Sequence, residues 1–223
     1  MNYIYTICLH GVSWAELAAY QSILPLIEQQ KINQLHMDDD KSRSLLGKLL
    51  LLYILKKHLS YRASQLPNLN YNHYFKPFIA TMPGSFNISH AGDWVVCAYS
   101  QQGMIGVDIE QQQPLNIDEY HQVLTLAELN AIRLDKLEFI QLWTLKEAII
   151  KADGRGFHLA PNSFALPIPF INHSPVTVDG NIWFLHWQKI ASRYALAIAC
   201  STPTDNTITK RLDIKQLITT CYC

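Results

Sequence analysis

Along the first ten residues Tyr3, Tyr5, Ile7 and Leu9 alternate with Ile4, Thr6 and Cys8, the period of two that marks a strand buried on at least one face. The period lengthens after residue 40. Leu45, Leu46, Leu49, Leu50, Tyr53 and Ile54 recur at helical spacing as far as Lys57. Asp40, closing an acidic run, is the expected N-cap, and the cationic end suits the helix dipole. Residues 60–84 are rich in Asn, Pro and Tyr and predict loop with short strands; 86–100 carries the β-rich stretch Trp94-Val95-Val96-Cys97-Ala98-Tyr99. Gln101-Gln102-Gly103 then turns the chain into a second strand over 104–109. Thr125 with Glu128, and Asp135 with Glu138, have capping-box spacing, predicting helices over 126–134 and 136–152, the longer one ended by Gly154 and Gly156. Beyond them 164–168, 182–188 and 193–200 alternate bulky with small or polar residues, as antiparallel strands do. Strand, core helix and antiparallel strands thus occur twice. The fold expected is α+β, a pseudo-two-fold pair of similar halves, 1–101 and 102–223, each a core helix packed on antiparallel strands.

Composition narrows the function classes. With 49% hydrophobic residues in 223, the chain can bury a core, which excludes disordered and fibrous classes. Lys+Arg and Asp+Glu are 18 each, and no segment gathers the cations into the stripe that binding a phosphate backbone requires, so no nucleic-acid partner is expected. The longest apolar run, 49–55 between Lys48 and Lys56, falls far short of the roughly 20 residues that cross a bilayer. The first basic residue is Lys31, so no charged secretory n-region precedes it. Five cysteines without a CxxC fit neither a disulfide framework nor a zinc site. A cytoplasmic protein with reduced thiols and no membrane span is expected.

Three segments could carry chemistry. Asp108 and Glu110, two apart in Gly106-Val107-Asp108-Ile109-Glu110, share one face of a strand while Val107 and Ile109 take the other. A hard cation such as magnesium takes oxygen ligands, usually one or two carboxylates plus water and substrate phosphates; a solvated strand end explains the same pair. Trp143, Glu147 and Lys151, spaced i, i+4, i+8, share a helix face. Exposed, Glu147 and Lys151 are a surface pair contributing about 0.2–0.5 kcal/mol. Trp143 argues that the face is partly buried, where a metal or phosphate would compensate the charge. In Phe86-Asn87-Ile88-Ser89-His90-Ala91-Gly92-Asp93, neighbours on an extended chain point to opposite faces, so Ser89 and His90 make a poor nucleophile–base pair; the plainer reading is a turn with a capping serine and a solvated histidine. Arg43 and Lys76-Pro77 mean little singly: a helix-face arginine and a turn lysine.

In combination they mean more. Phe86-Asn87-Ile88-Ser89-His90, then Gly106-Val107-Asp108-Ile109-Glu110, then Trp143-Thr144-Leu145-Lys146-Glu147-Ala148 with Lys151 and Gly154-Arg155-Gly156, closely resemble in order and spacing the surfactin-synthetase-type 4′-phosphopantetheinyl transferases. The likeness takes in Arg43-Ser44-Leu45-Leu46-Gly47 and Lys76-Pro77 and covers roughly residues 40 to 200. It implies a monomeric pseudo-dimer that binds coenzyme A and magnesium between its halves and transfers 4′-phosphopantetheine to a serine of an acyl or peptidyl carrier protein, releasing 3′,5′-ADP. By position, Asp108, Glu110 and Glu147 resemble the magnesium ligands, and Glu147 also the base for the serine. Lys151 resembles the lysine on the transferred phosphate, Arg43 and His90 the grip on the 3′-phosphate, Lys76-Pro77 the adenine-side contact, and Ser89 a pyrophosphate neighbour. The N-terminal half would hold the nucleotide and the C-terminal half the magnesium and catalytic carboxylates. Phe75 stands where a glycine usually precedes the Lys-Pro pair, and of the basic cluster expected before Arg43 only Lys31 is offered. Two other readings are an inactive carrier- or nucleotide-binding module of this fold and a magnesium-dependent phosphatase.

Overall fold

The computed structural model describes residues 1–114, 117–120, 122–135, 138–203 and 206–222. In chain order the elements are β1 (Asn2–Cys8), α1 (Trp14–Leu17), α2 (Leu26–Asn33), α3 (Asp38–His58), β2 (Asn70–Tyr71), β3 (Pro77–Phe78), β4 (Ser85–Ala91), β5 (Trp94–Ser100) and β6 (Ile105–Gln111). Then come α4 (Leu126–Arg133), α5 (Phe139–Asp153), β7 (Pro175–Val178), β8 (Asn181–Ala191), β9 (Tyr194–Cys200), β10 (Thr207–Leu212) and α6 (Ile214–Tyr222). The first sheet contains the order β1-β5-β4 and packs on α3; the second contains β6-β9-β8 and packs on α5, every one of these pairs being antiparallel. One strand–helix–strand–strand unit, with one strand order, therefore occurs twice, and the chain is a pseudo-two-fold α+β protein. β7 extends the second sheet beyond β8, and β10 extends the first by running parallel to β1.

Local chemistry places most of the boundaries. α3 carries Asp38, Asp39 and Asp40 in its first turn and Lys56, Lys57 and His58 in its last, each beside the helix pole of opposite sign. Met37 is its N-cap, so Asp40 acts inside the first turn and not at the cap. The Thr125–Glu128 capping box opens α4 as expected. α5 begins at Phe139 with Glu138 at the N-cap; residues 136–137, where its start was expected, lie outside the described residues, and Asp135 holds φ +53 in the turn that follows α4. Gly154, at φ +84, ends α5 in the left-handed conformation that glycine adopts without strain.

Residues 164–168 are not a strand. Their backbone is bound by side chains from the two helices beside them: Lys146 Nζ donates to the Phe164 carbonyl at 2.6 Å, and the Leu166 amide donates to Glu128 at 3.0 Å. One edge of the second sheet is β7. Cys8, Cys97, Cys200 and Cys221 are free thiols. Among the described residues no helix is long and apolar enough to cross a membrane.

The halves meet along an apolar seam in which Val96 and Ile4 pack with Val107, Ile109, Leu196 and Ile198. A polar stripe borders it. Ser85, Asn87 and Ser89 alternate along β4 and reach β6: the Ile105 amide donates to Ser85 Oγ at 2.9 Å, the Val107 amide to Asn87 Oδ1 at 2.9 Å, and Ser89 Oγ to Asp108 Oδ1 at 2.9 Å.

Candidate active site

β6 and α5 touch because Gly106 has no side chain: a Cβ there would lie 2.1 Å from the Ala148 carbonyl oxygen and 2.3 Å from the Ala152 nitrogen. The contact sets the strand face bearing Asp108 and Glu110 against the helix stripe Trp143, Glu147 and Lys151. Trp143 Nε1 donates to Glu110 Oε1 at 3.1 Å, and Lys151 Nζ reaches Asp108 Oδ1 at 2.5 Å and Ser89 Oγ at 2.9 Å. The stripe is thus no surface ion pair. Asp108 is 2% exposed and Glu147 9%, and Lys151 pairs across to the strand. Ser89 and His90 lie on β4 and not in a turn, with Ser89 buried against Asp108.

The carboxylates crowd one another. Burial first, then the charges of Asp108 and Glu147, raise the Glu110 carboxyl to about 7, against the opposing pull of Trp143 and Lys151. Burial also raises Glu147, with Lys151 opposing it and Asp108 adding to it. Two buried oxygens, Asp108 Oδ2 and Glu147 Oε1, have no hydrogen-bond partner. As they stand, no three His, Cys, Asp or Glu side chains among the described residues are drawn together closely enough to hold a metal ion. The oxygen-only donor set with two buried unpartnered oxygens is nonetheless what a hard divalent cation takes, and the positive charge now beside Asp108 is Lys151.

The candidate nucleotide-binding side chains His90, Arg43 and Lys76 lie on the first half. His90 is exposed, yet its crowded protein side, followed by the charges of Arg43 and Lys151, lowers its pKa. Arg43 Nη1 donates to the Gly92 carbonyl at 2.9 Å and Nη2 to Asp40 at 2.7 Å, beside a cavity of about 330 Å³. A second cavity, of about 510 Å³, has Lys76, Pro77, Phe86, Ala152 and Asp153 in its walls.

A two-part match to known families covers this arrangement: the description "4′-phosphopantetheinyl transferase, N-terminal" fits residues 12–102, and "4′-phosphopantetheinyl transferase superfamily" fits residues 104–199. The chain is 30% identical over 161 residues to 4′-phosphopantetheinyl transferase Sfp of Bacillus subtilis strain 168, covering 70% of this chain and 71% of that protein. The chain belongs to the 4′-phosphopantetheinyl transferase superfamily. The transferase is also similar to 4′-phosphopantetheinyl transferase gsp of Aneurinibacillus migulanus, 37% identical over 138 residues, 56% of this chain and 54% of that one. To 4′-phosphopantetheinyl transferase AcpT of Escherichia coli K12 it is 39% identical over 104 residues, 43% and 53% respectively.

The fold therefore draws Ser89, Asp108, Glu110, Glu147 and Lys151 of the transferase into one cluster, with His90 and Arg43 coupled to it electrostatically. Lys31 is engaged elsewhere: its ammonium donates to Glu28 and to the Tyr71 hydroxyl, both at 2.7 Å. Asn87, which binds β6, escaped the sequence reading, although the alternation Ser85, Asn87, Ser89 between Phe86 and Ile88 was there to find. Phe75, 83% exposed, holds φ +64, a backbone that glycine would adopt without strain.

Proposed function

We propose that the transferase moves the 4′-phosphopantetheine arm of coenzyme A to a serine hydroxyl of an acyl or peptidyl carrier protein and releases 3′,5′-ADP. The observation that carries this reading is three carboxylates within electrostatic reach of one another, two of them with unpartnered buried oxygens, beside Lys151 and Ser89 at the seam between the halves. The serine oxygen bonds to the phosphorus of the arm, the pyrophosphate P–O bond breaks, and 3′,5′-ADP leaves. Glu147 accepts the serine proton through a carboxylate whose Oε1 is buried without a hydrogen-bond partner. Lys151 turns from Asp108 toward the transferred phosphate, and Ser89 stays beside the pyrophosphate. A magnesium ion bound by Asp108, Glu110 and Glu147 would neutralise charge on the pyrophosphate.

Arg43 and His90 would grip the 3′-phosphate, and the cavity beside Lys76 and Pro77 would take the nucleotide end. Lys31 would join them only by exchanging Glu28 and Tyr71 for a phosphate. In this division of labour the half 1–101 binds the nucleotide and the half 102–223 performs the chemistry, so that a cytoplasmic monomer has both. A cavity of about 640 Å³ bordered by Glu110, Gln111, Tyr120, Phe139 and Trp143 is where a carrier protein would bring its serine; it adjoins the segment 111–125, of which residues 115, 116 and 121 lie outside the described residues.

The test is mass spectrometry of an apo carrier protein incubated with the transferase, coenzyme A and magnesium. A gain of one phosphopantetheine supports transfer. Free phosphate without that gain would identify a phosphatase, and no change a binding module.

A further inference from the structure

Lys76 has a second feature besides its place in the cavity wall. It sits on the turn between β2 and β3, in the first half, yet its Nζ lies 2.8 Å from the Ala152 carbonyl at the end of α5 and 3.4 Å from the Ile105 carbonyl at the start of β6. Its stem lies on Gly154, where a Cβ would come within 2.7 Å of Lys76 Cδ. Asn72, at the other side of the turn, donates to the Gly154 carbonyl at 3.0 Å and accepts the Lys76 amide at 2.8 Å. The last carbonyls of a helix have no partner within it, and here a turn from the opposite half supplies two donors. Burial lowers the Lys76 pKa to about 8, against the pull of Asp153, as befits an ammonium directed into protein.

β6 and α5 are the elements that carry the clustered carboxylates. Lys151 is the residue before Ala152, and Asp108 is three residues beyond Ile105. We infer that the Lys76 ammonium is a positioning group, tying β6 to α5 from the opposite half and holding Asp108 and Lys151 in register, while Pro77 and the cavity walls receive the nucleotide. Its nucleotide and kinetic readouts rest on the transfer reaction proposed above, and its hydrogen-exchange readout does not.

The variant is Lys76→Met, which keeps the stem and removes the donors. Because Lys76 also lines the wall that would take the nucleotide, affinity for 3′,5′-ADP, measured by calorimetry, serves to set the coenzyme A concentration that saturates the variant. Single-turnover transfer at saturating coenzyme A, carrier protein and magnesium should fall at least about tenfold, since small misplacements of reacting groups cost that much or more. In the ligand-free protein, amide hydrogen exchange should speed up in 105–108 and 150–154, with little change in the rest of both sheets. An unchanged saturated rate, or unchanged exchange in those segments, would overturn the inference. Should the methionine variant not fold, Lys76→Gln, which keeps a neutral donor, is put through the same measurements. If wild type neither binds 3′,5′-ADP nor transfers, the proposed function fails, and hydrogen exchange still decides the role of Lys76.

Discussion

Replacing Glu110 by glutamine should stabilise the metal-free protein while impairing its function, and the gain should grow with pH. Glu110 sits near Asp108 and Glu147, and burial together with those charges raises its carboxyl from 4.5 to about 7. A carboxyl whose folded value lies above its unfolded one costs no stability below the unfolded value, costs progressively more between the two, and carries its full penalty above the folded value. The window is therefore about pH 4.5 to about pH 7. At about 1.4 kcal/mol per pH unit, that interval corresponds to about 3.4 kcal/mol. Part of the side chain meets water, which screens the charge, so we expect about 2 kcal/mol. Glutamine is neutral throughout and keeps an oxygen for the Trp143 indole. Denaturant-unfolding free energies, measured in EDTA, should nearly coincide at low pH and diverge to about 2 kcal/mol in favour of the variant by about pH 8. Manganese binding and transfer should fall in the same protein. An offset independent of pH, or a wild type that gains on the variant as pH rises, would mean that the carboxylate is favourably held as an anion and would refute the crowding argument.

Gly106→Ala sets a Cβ 2.1 Å from a helix carbonyl with no flexible neighbour to give way, and should cost about 3 kcal/mol in a urea titration; equal stability would show that β6 and α5 are not in contact. Glu147→Gln should lower the magnesium-saturated transfer rate by about 10² to 10⁴ with a thermal midpoint no lower than wild type, whereas a wild-type plateau reached only at higher magnesium would make Glu147 a ligand alone. His90→Ala should weaken coenzyme A by roughly tenfold or more but hardly change 3′-dephospho-coenzyme A; equal losses would remove His90 from the 3′-phosphate. Phe75→Gly should relieve about 1–2 kcal/mol of left-handed strain and return about 0.5–1 kcal/mol in chain entropy, for a small net rise in thermal midpoint; a fall would mean that the exposed ring has a stabilising contact.

The repeat of strand, core helix and antiparallel strands was legible because most side chains pointed where their period said they should. Alternation assigned Asp108 and Glu110 to one face and Val107 and Ile109 to the other, and the face of Trp143, Glu147 and Lys151 was equally plain. What periodicity could not supply was the partner of each face, and this is what turns a surface Glu–Lys pair into a buried cluster. Ser89 and His90 read as a turn because polar residues next to an apolar strand usually face solvent; here the stripe Ser85, Asn87, Ser89 faces a second strand instead. The error at 164–168 has the opposite cause, since Phe164 and Leu166 are buried but their backbone is bound by Glu128 and Lys146. β10 gave no signal: most of it is exposed, and its partner strand lies some two hundred positions earlier.

That late strand makes the order of synthesis differ from the order of completion. β1 is made some two hundred residues before β10, and one of its edges stays open until that strand arrives; α6 then covers α3, where Lys56 Nζ binds the Cys221 carbonyl at 2.8 Å and the Cys221 thiol the Leu49 carbonyl at 3.4 Å. If the chain were cut at Gly103, the N-terminal fragment would retain an unpaired strand edge and an uncovered helix face, and the segment that seals both would belong to the other fragment. The N-terminal piece would not be a self-sufficient folding unit. Reassembly would have to proceed by exchange of that C-terminal strap, and a chain that lent its strap to a neighbour would form a swapped dimer joined at the first sheet while the paired carboxylates of each second half stayed intact.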